Sequence, residues 1–151
     1  MSLYSPRASG IGNSAAYQVS GIPYATASIT VTALGHANGP MPVEFSHVTK
    51  FVTIVNTNTG ANVPLRFGFS SLGVTGSALD AGGVDQAVPG GSDHYFLLDN
   101  GESYTGEFRI SKLFLLSDTD GVQTQASIVA GLTSVPATDL PHNWSGSAGV
   151  G

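Results

Sequence analysis

The sequence predicts an all-β domain: a two-sheet antiparallel sandwich of about eight strands, jelly-roll-like in type. Three observations carry that expectation. Short apolar runs alternate with polar residues at a period of two. Asn, Asp and Gly residues punctuate the runs, Gly alone supplying 20 of 151 residues. No stretch carries the i, i+3, i+4, i+7 apolar stripe of a capped helix.

The strands follow in order. Residues 28–33 alternate Ile29 and Val31 with Thr30 and Thr32. Residues 43–47 form a short strand after the turn-like Asn38-Gly39-Pro40. Residues 50–56 are apolar on both faces, as in a strand covered on both sides. Residues 65–70 place Leu65, Phe67 and Phe69 on one face and Arg66 and Gly68 on the other. Residues 94–98 and 102–106 flank Asn100-Gly101, a strong hairpin signal. Residues 109–116 put Leu113 and Leu115 inward. Residues 123–132 do the same with Ala126, Ile128, Ala130 and Leu132. The expected core is Val52, Ile54, Phe67, Phe69, Phe96, Leu113, Leu115 and Ile128. An immunoglobulin-type sandwich is the rival, but there is no cysteine pair and the one tryptophan, Trp144, follows the last strand.

Three segments stand outside this pattern. Residues 1–27 hold Pro6, Gly10, Gly12, Gly21 and Pro23 and read as an extended N-terminal arm. Residues 71–92 form a long glycine-rich loop, and loops of that length are usually functional or disordered. Residues 134–151 read as a C-terminal tail. The expected organisation is therefore arm 1–27, sandwich 28–133 and tail 134–151.

Composition narrows the function classes. Without cysteine there is neither a disulfide nor a thiolate metal site. A net charge of -5, with Arg7, Lys50, Arg66, Arg109 and Lys112 scattered, lacks the basic footprint of a nucleic-acid binder. No apolar run reaches the ~18–20 residues of a membrane span, and the start shows no secretory signal pattern. Charged residues make up 10% of the chain, against about 25% in typical soluble domains. The first expectation is a surface largely covered by other subunits, and the alternative is a Ser/Thr-coated surface of the kind common in β-proteins.

The chemical constellations are weak. His47, His94 and Asp93 have no tight ligand spacing, and His36 and His142 join no cluster, so solvated or locally bonded histidines are expected rather than a metal site. Asp118-Thr119-Asp120-Gly121 opens like a calcium loop, but Val129 stands where the twelfth-position carboxylate belongs, which leaves a hairpin turn. Glu102 and Glu107 are the one pair resembling a glycosidase acid pair, with nothing to tie them to a cleft. Asn143-Trp144-Ser145 matches a glycosylation sequon, read as chance. No catalytic residue, cofactor or metal is expected. The aromatics Tyr4, Tyr17, Tyr24 and Trp144 lie in the arm and tail, where large amphipathic rings suit anchoring on a neighbouring subunit, with folding back on their own domain as the alternative.

The run Gly12-Asn13-Ser14-Ala15-Ala16-Tyr17-Gln18-Val19-Ser20-Gly21-Ile22-Pro23-Tyr24-Ala25-Thr26 resembles the opening of small virion proteins of environmental phages and other DNA viruses. Val48-Thr49-Lys50-Phe51-Val52-Thr53-Ile54-Val55-Asn56 and Arg109-Ile110-Ser111-Lys112-Leu113-Phe114-Leu115 are similar in style. The resemblance spans about residues 15–130 and has no signature residue. It implies a single jelly-roll capsid component: a head decoration (cement) or minor capsid protein, or a penton-type vertex protein. It also implies a homo-oligomer, trimer or pentamer, meeting other capsid proteins in a virion assembled in the host cytoplasm. A carbohydrate- or receptor-binding module using residues 71–92 is the alternative from another class, although that loop contains no aromatic residue.

Overall fold

A computed structural model describes residues 21–76 and 93–140, together with the backbone of two short strands between them. Its elements are β1 (Ile22–Val31), β2 (Met41–Glu44), β3 (His47–Asn56), β4 (Leu65–Gly68), helix α1 (Ser71–Thr75), β5 (Ala78–Leu79), β6 (Asp85–Gln86), β7 (Phe96–Leu98), β8 (Ser103–Gly106), β9 (Lys112–Ser117) and β10 (Thr124–Pro136), then a 3-10 turn, Ala137–Asp139. One four-stranded sheet has the order β1-β10-β3-β8, the other β2-β9-β4-β7, and every pairing within them is antiparallel.

These orders describe one long hairpin rolled over itself. Leaving aside the small β5-β6 ribbon, β1 pairs with β10, β2 with β9, β3 with β8 and β4 with β7, and successive pairs alternate between the sheets. That connectivity is the jelly roll. The hairpin tip is the β4–β7 connection, where α1, β5 and β6 lie.

The roll explains two departures from expectation. Asn100-Gly101 and Asp118-Thr119-Asp120-Gly121 are tight turns, with Gly101 and Gly121 at φ +78° and +67°. Neither closes a hairpin, because β7 and β8, and likewise β9 and β10, belong to different sheets. A turn residue reports a reversal of direction, and a corner between sheets needs the same chemistry as a hairpin.

The sandwich begins earlier than residue 28 and ends later than 133. Ile22–Thr26 pair with β10, so the last part of the expected arm belongs to the sheet. Pro23 is tolerated there because β1 is an edge strand with one neighbour. At the other end β10 runs on to Pro136, into the expected tail. The expected loop 71–92 opens with a single helical turn. The Ser70 side chain caps it by accepting a bond from the Gly73 N–H at 3.1 Å.

The core lies between the sheets. Val52, Ile54, Phe67, Leu113, Leu115 and Ile128 are buried, as expected, joined by Val31, Leu65 and Leu132. Phe69 is only partly buried, and Phe96 is 53% exposed. Phe96 sits opposite Phe67 in register, so it shares the inner face, but β7 is an edge strand and one side of its ring stays open. There it closes an aromatic seam between the β7 and β8 edges. Its ring stacks on Phe67 and Tyr104 at 5.4 and 5.2 Å, and Phe108 bridges Tyr104 to Phe69.

A buried polar clamp ties the sheets at one end. Asn56, at the end of β3, is fully buried and donates through Nδ2 to the Val63 and Leu98 carbonyls at 3.1 and 3.0 Å. Its Oδ1 accepts from the Asn58 N–H and the Thr124 hydroxyl. All its hydrogen-bonding groups are used, so burial carries no unsatisfied-group cost.

Candidate functional site

The outward residues of both sheets can be read from strand register, since side chains alternate across a strand. On the second sheet the outer face is covered over β4 and the adjoining part of β9, while Pro42, Glu44 and Leu97 stay exposed. Helix α1 packs there, over β4 and β9. Gly68 makes that approach possible, because a Cβ in its place would stand 2.7 Å from both Val74 Cγ2 and the His94 carbonyl. Arg66 points into the same layer. Its guanidinium donates to Asp118, to the Thr75 carbonyl at 3.0 Å and to the Val74 carbonyl, and lies 4.3 Å from the Tyr95 ring centroid. The sequence places Arg66 correctly on the face opposite Phe67, but that face is buried rather than solvated.

The outer face of the first sheet is different. Strand β3 is central in its sheet, yet its outward residues Phe51, Thr53 and Val55 are only half-buried, against the expectation of cover on both faces. Across all four strands, from Pro23 and Gly131 at one end to Thr30 and Gln125 at the other, register sets no charged side chain on this face. Its middle is a mixture of apolar and hydroxyl groups, in which Val129 is 49% exposed and the Thr53 and Thr105 hydroxyls bond across strands at 2.8 Å. The nearest ion pair, Lys50 with Glu107 at 3.6 Å, stands at the rim of this face, for Lys50 is on β3 beside Phe51, where the β3–β10 register shifts, and Glu107 follows β8.

The candidate residues from sequence distribute as follows. Tyr24 is on β1, partly buried, and meets Phe45 edge-on at 5.0 Å, so it packs within its own domain and is not a free anchor. Tyr4, Tyr17, Trp144 and His142 lie outside the described residues. His47 opens β3 beside the Ser46 hydroxyl, whereas His94 precedes β7 and its N–H bonds the Gly73 carbonyl on the other sheet's helix. Among the described residues no three metal-ligating side chains cluster. Glu102 accepts from the Asp99 N–H in the turn before β8, and Glu107 follows that strand. Five residues of extended chain separate them by roughly 16 Å, beyond the reach of two carboxylates flanking one glycosidic bond. An open groove of about 470 Å³ lies between Ala33–His36 and Asp120–Gln123, with His36 and Asp120 its titratable lining. The His36 Nδ1 there accepts the Asn38 N–H.

Strand register, which the sequence does not give, is what reveals the uncharged face. The signal was present only as the low overall charge. No family model, no curated protein and no solved structure matches this chain. Among the described residues no helix is long and apolar enough to cross a membrane.

Proposed function

We propose that this chain is a structural virion subunit, a decoration (cement) or minor capsid protein that strengthens a viral shell through contacts between subunits. The observation that carries this reading is the uncharged outer face of the first sheet on a rigid jelly-roll block. The centres of protein interfaces are depleted of charge, so a face without charge suits cover by protein. The runs that resemble small virion proteins support the same reading, for they include the central strand β3 and the start of β9. Its work is mechanical. The apolar core keeps the block stiff, apolar contact adds roughly 25 cal/mol per Å² before the costs of association, and symmetry turns weak contacts into avidity. The assembly is a closed ring, a trimer or pentamer, the usual way a repeated component buries its surface. Within the same class, a vertex (penton) position is the other placement.

Residues 1–20 are the segment that extends this contact to a neighbour. Fully extended they span up to roughly 70 Å, more than the width of a small sandwich. Deleting 1–20 is expected to leave the circular dichroism of a β-sandwich unchanged and to abolish assembly or capsid binding. A truncated chain that assembles as well as the full one contradicts the arm's role. A truncated chain that does not fold places the arm in the core instead.

A further inference from the structure

We infer that Asn38-Gly39 is a self-modification site, where the folded chain converts its own Asn38 side-chain amide to a carboxylate, while the same dipeptide at Asn100-Gly101 is shielded by the fold. The inference is independent of the reading of the chain as a virion subunit.

The chemistry belongs to the Asn-Gly step itself. The glycine backbone nitrogen attacks the asparagine Cγ and gives up its proton. The Cγ–Nδ2 bond breaks and ammonia leaves, which closes a cyclic imide. Water then opens the ring at either carbonyl. The products are aspartate and its isomer, in which the main chain runs through the former side chain. One water enters and one ammonia departs, so no oxidant or reductant is needed. Glycine favours the step because no Cβ shields its nitrogen. The chain contains two such steps, Asn38-Gly39 and Asn100-Gly101.

The reaction needs a side-chain amide free to swing and a glycine N–H that can be released. Asn38 meets the first condition. It is exposed in the connection between β1 and β2, and among the described residues its side-chain amide takes no hydrogen bond. Its backbone N–H alone is held, by His36 Nδ1 at 3.2 Å. The second condition is met nearly as well. The Gly39 N–H donates to the His36 carbonyl at 2.9 Å, which closes only a local turn, and the space around the Gly39 Cα is open. An exposed turn bond of this kind opens at little cost in free energy.

Asn100 meets neither condition. Its Oδ1 accepts the Val63 N–H at 3.1 Å and the Asn58 Nδ2 at 3.3 Å, and its Nδ2 donates to the Ala61 carbonyl at 3.0 Å. The Gly101 N–H donates to the carbonyl of Asn56 at 2.9 Å. Asn56 is the buried clamp at the end of β3, so freeing Gly101 means opening that end of the sandwich.

Conversion at Asn38 adds one negative charge to a chain already at -5. The fold tolerates it, because β1 and β2 are held by β10 and β9 rather than by the turn between them.

The test is peptide mass spectrometry of the full chain held in mildly alkaline buffer, native and in urea. In the native chain Asn38 is expected to react more than about tenfold faster than Asn100, a ratio that falls to near parity in urea. Electron-transfer fragmentation is expected to find both aspartate and its isomer at position 38, with the circular dichroism unchanged. Asn38→Ala is expected to remove the acidic species that the native chain develops on isoelectric focusing. Equal native rates at the two sites, or a native Asn38 as inert as Asn100, overturn the inference. Aspartate without its isomer overturns the cyclic route.

Discussion

Phe67→Ala is expected to lower stability by roughly 3–5 kcal/mol, the range for truncating a fully buried aromatic side chain. Phe67 has no exposed surface and occupies the centre of the sandwich on β4. Its ring stacks on Phe96 and meets Tyr104, so its loss removes one wall of the seam between the β7 and β8 edges as well as its own buried area. These neighbours come from two strands, one in each sheet, and cannot collapse together without moving those sheets, which makes the cavity cost large. Phe96→Ala is the internal comparison. Half of that ring already meets solvent, so its truncation is expected to cost about 1–2 kcal/mol. Urea denaturation of both variants checks the order. Equal costs, or an unchanged midpoint for Phe67→Ala, would contradict the assigned core.

Arg66→Ala is expected to cost about 3 kcal/mol, chiefly from what it leaves behind. The guanidinium joins Asp118, in the turn after β9, to the Val74 and Thr75 carbonyls at the end of α1. Without it those two carbonyls lose a donor, and a partly buried carboxylate loses its counter-charge. Asp118 keeps 29% of its side-chain surface in water, which places the loss at the lower end of the range for breaking a buried pair. Arg66→Lys is expected to recover part of the loss, since an ammonium can replace the charge but not the planar fork that serves several acceptors. Amide exchange offers a second reading. In Arg66→Ala the Val74 and Gly76 amides, which bond to the Ser70 and Leu72 carbonyls, are expected to exchange faster than those of β3. Uniform acceleration across both would mean that α1 has no separate attachment through Arg66.

The eight sandwich strands were legible in the sequence because their inward residues repeat at a period of two. Ala126, Ile128, Ala130 and Leu132 on β10 are the plainest case, all buried. Sheet membership was not legible. The Asn100-Gly101 turn looks the same whether it closes a hairpin or turns a corner between sheets. Phe96 misled for a related reason: its facing is correct, but its exposure depends on β7 being an edge. Proline and glycine made 22–27 look like an arm, although an edge strand accepts Pro23 and Tyr24 completes the core against Phe45. Helix α1 is a five-residue turn, too short for any periodic signal, and it is the element that hides Arg66. Of the candidate surface, only the scarcity of charge could be read in advance.

On the proposed function this jelly roll packs against copies of itself in a shell. Native mass spectrometry of the full chain, with negative-stain imaging of the same sample, is the decisive measurement. The expected result is a closed trimer or pentamer whose ring subunits match the size of the sandwich. A stable monomer at high micromolar concentration, with no affinity for a capsid, would contradict it.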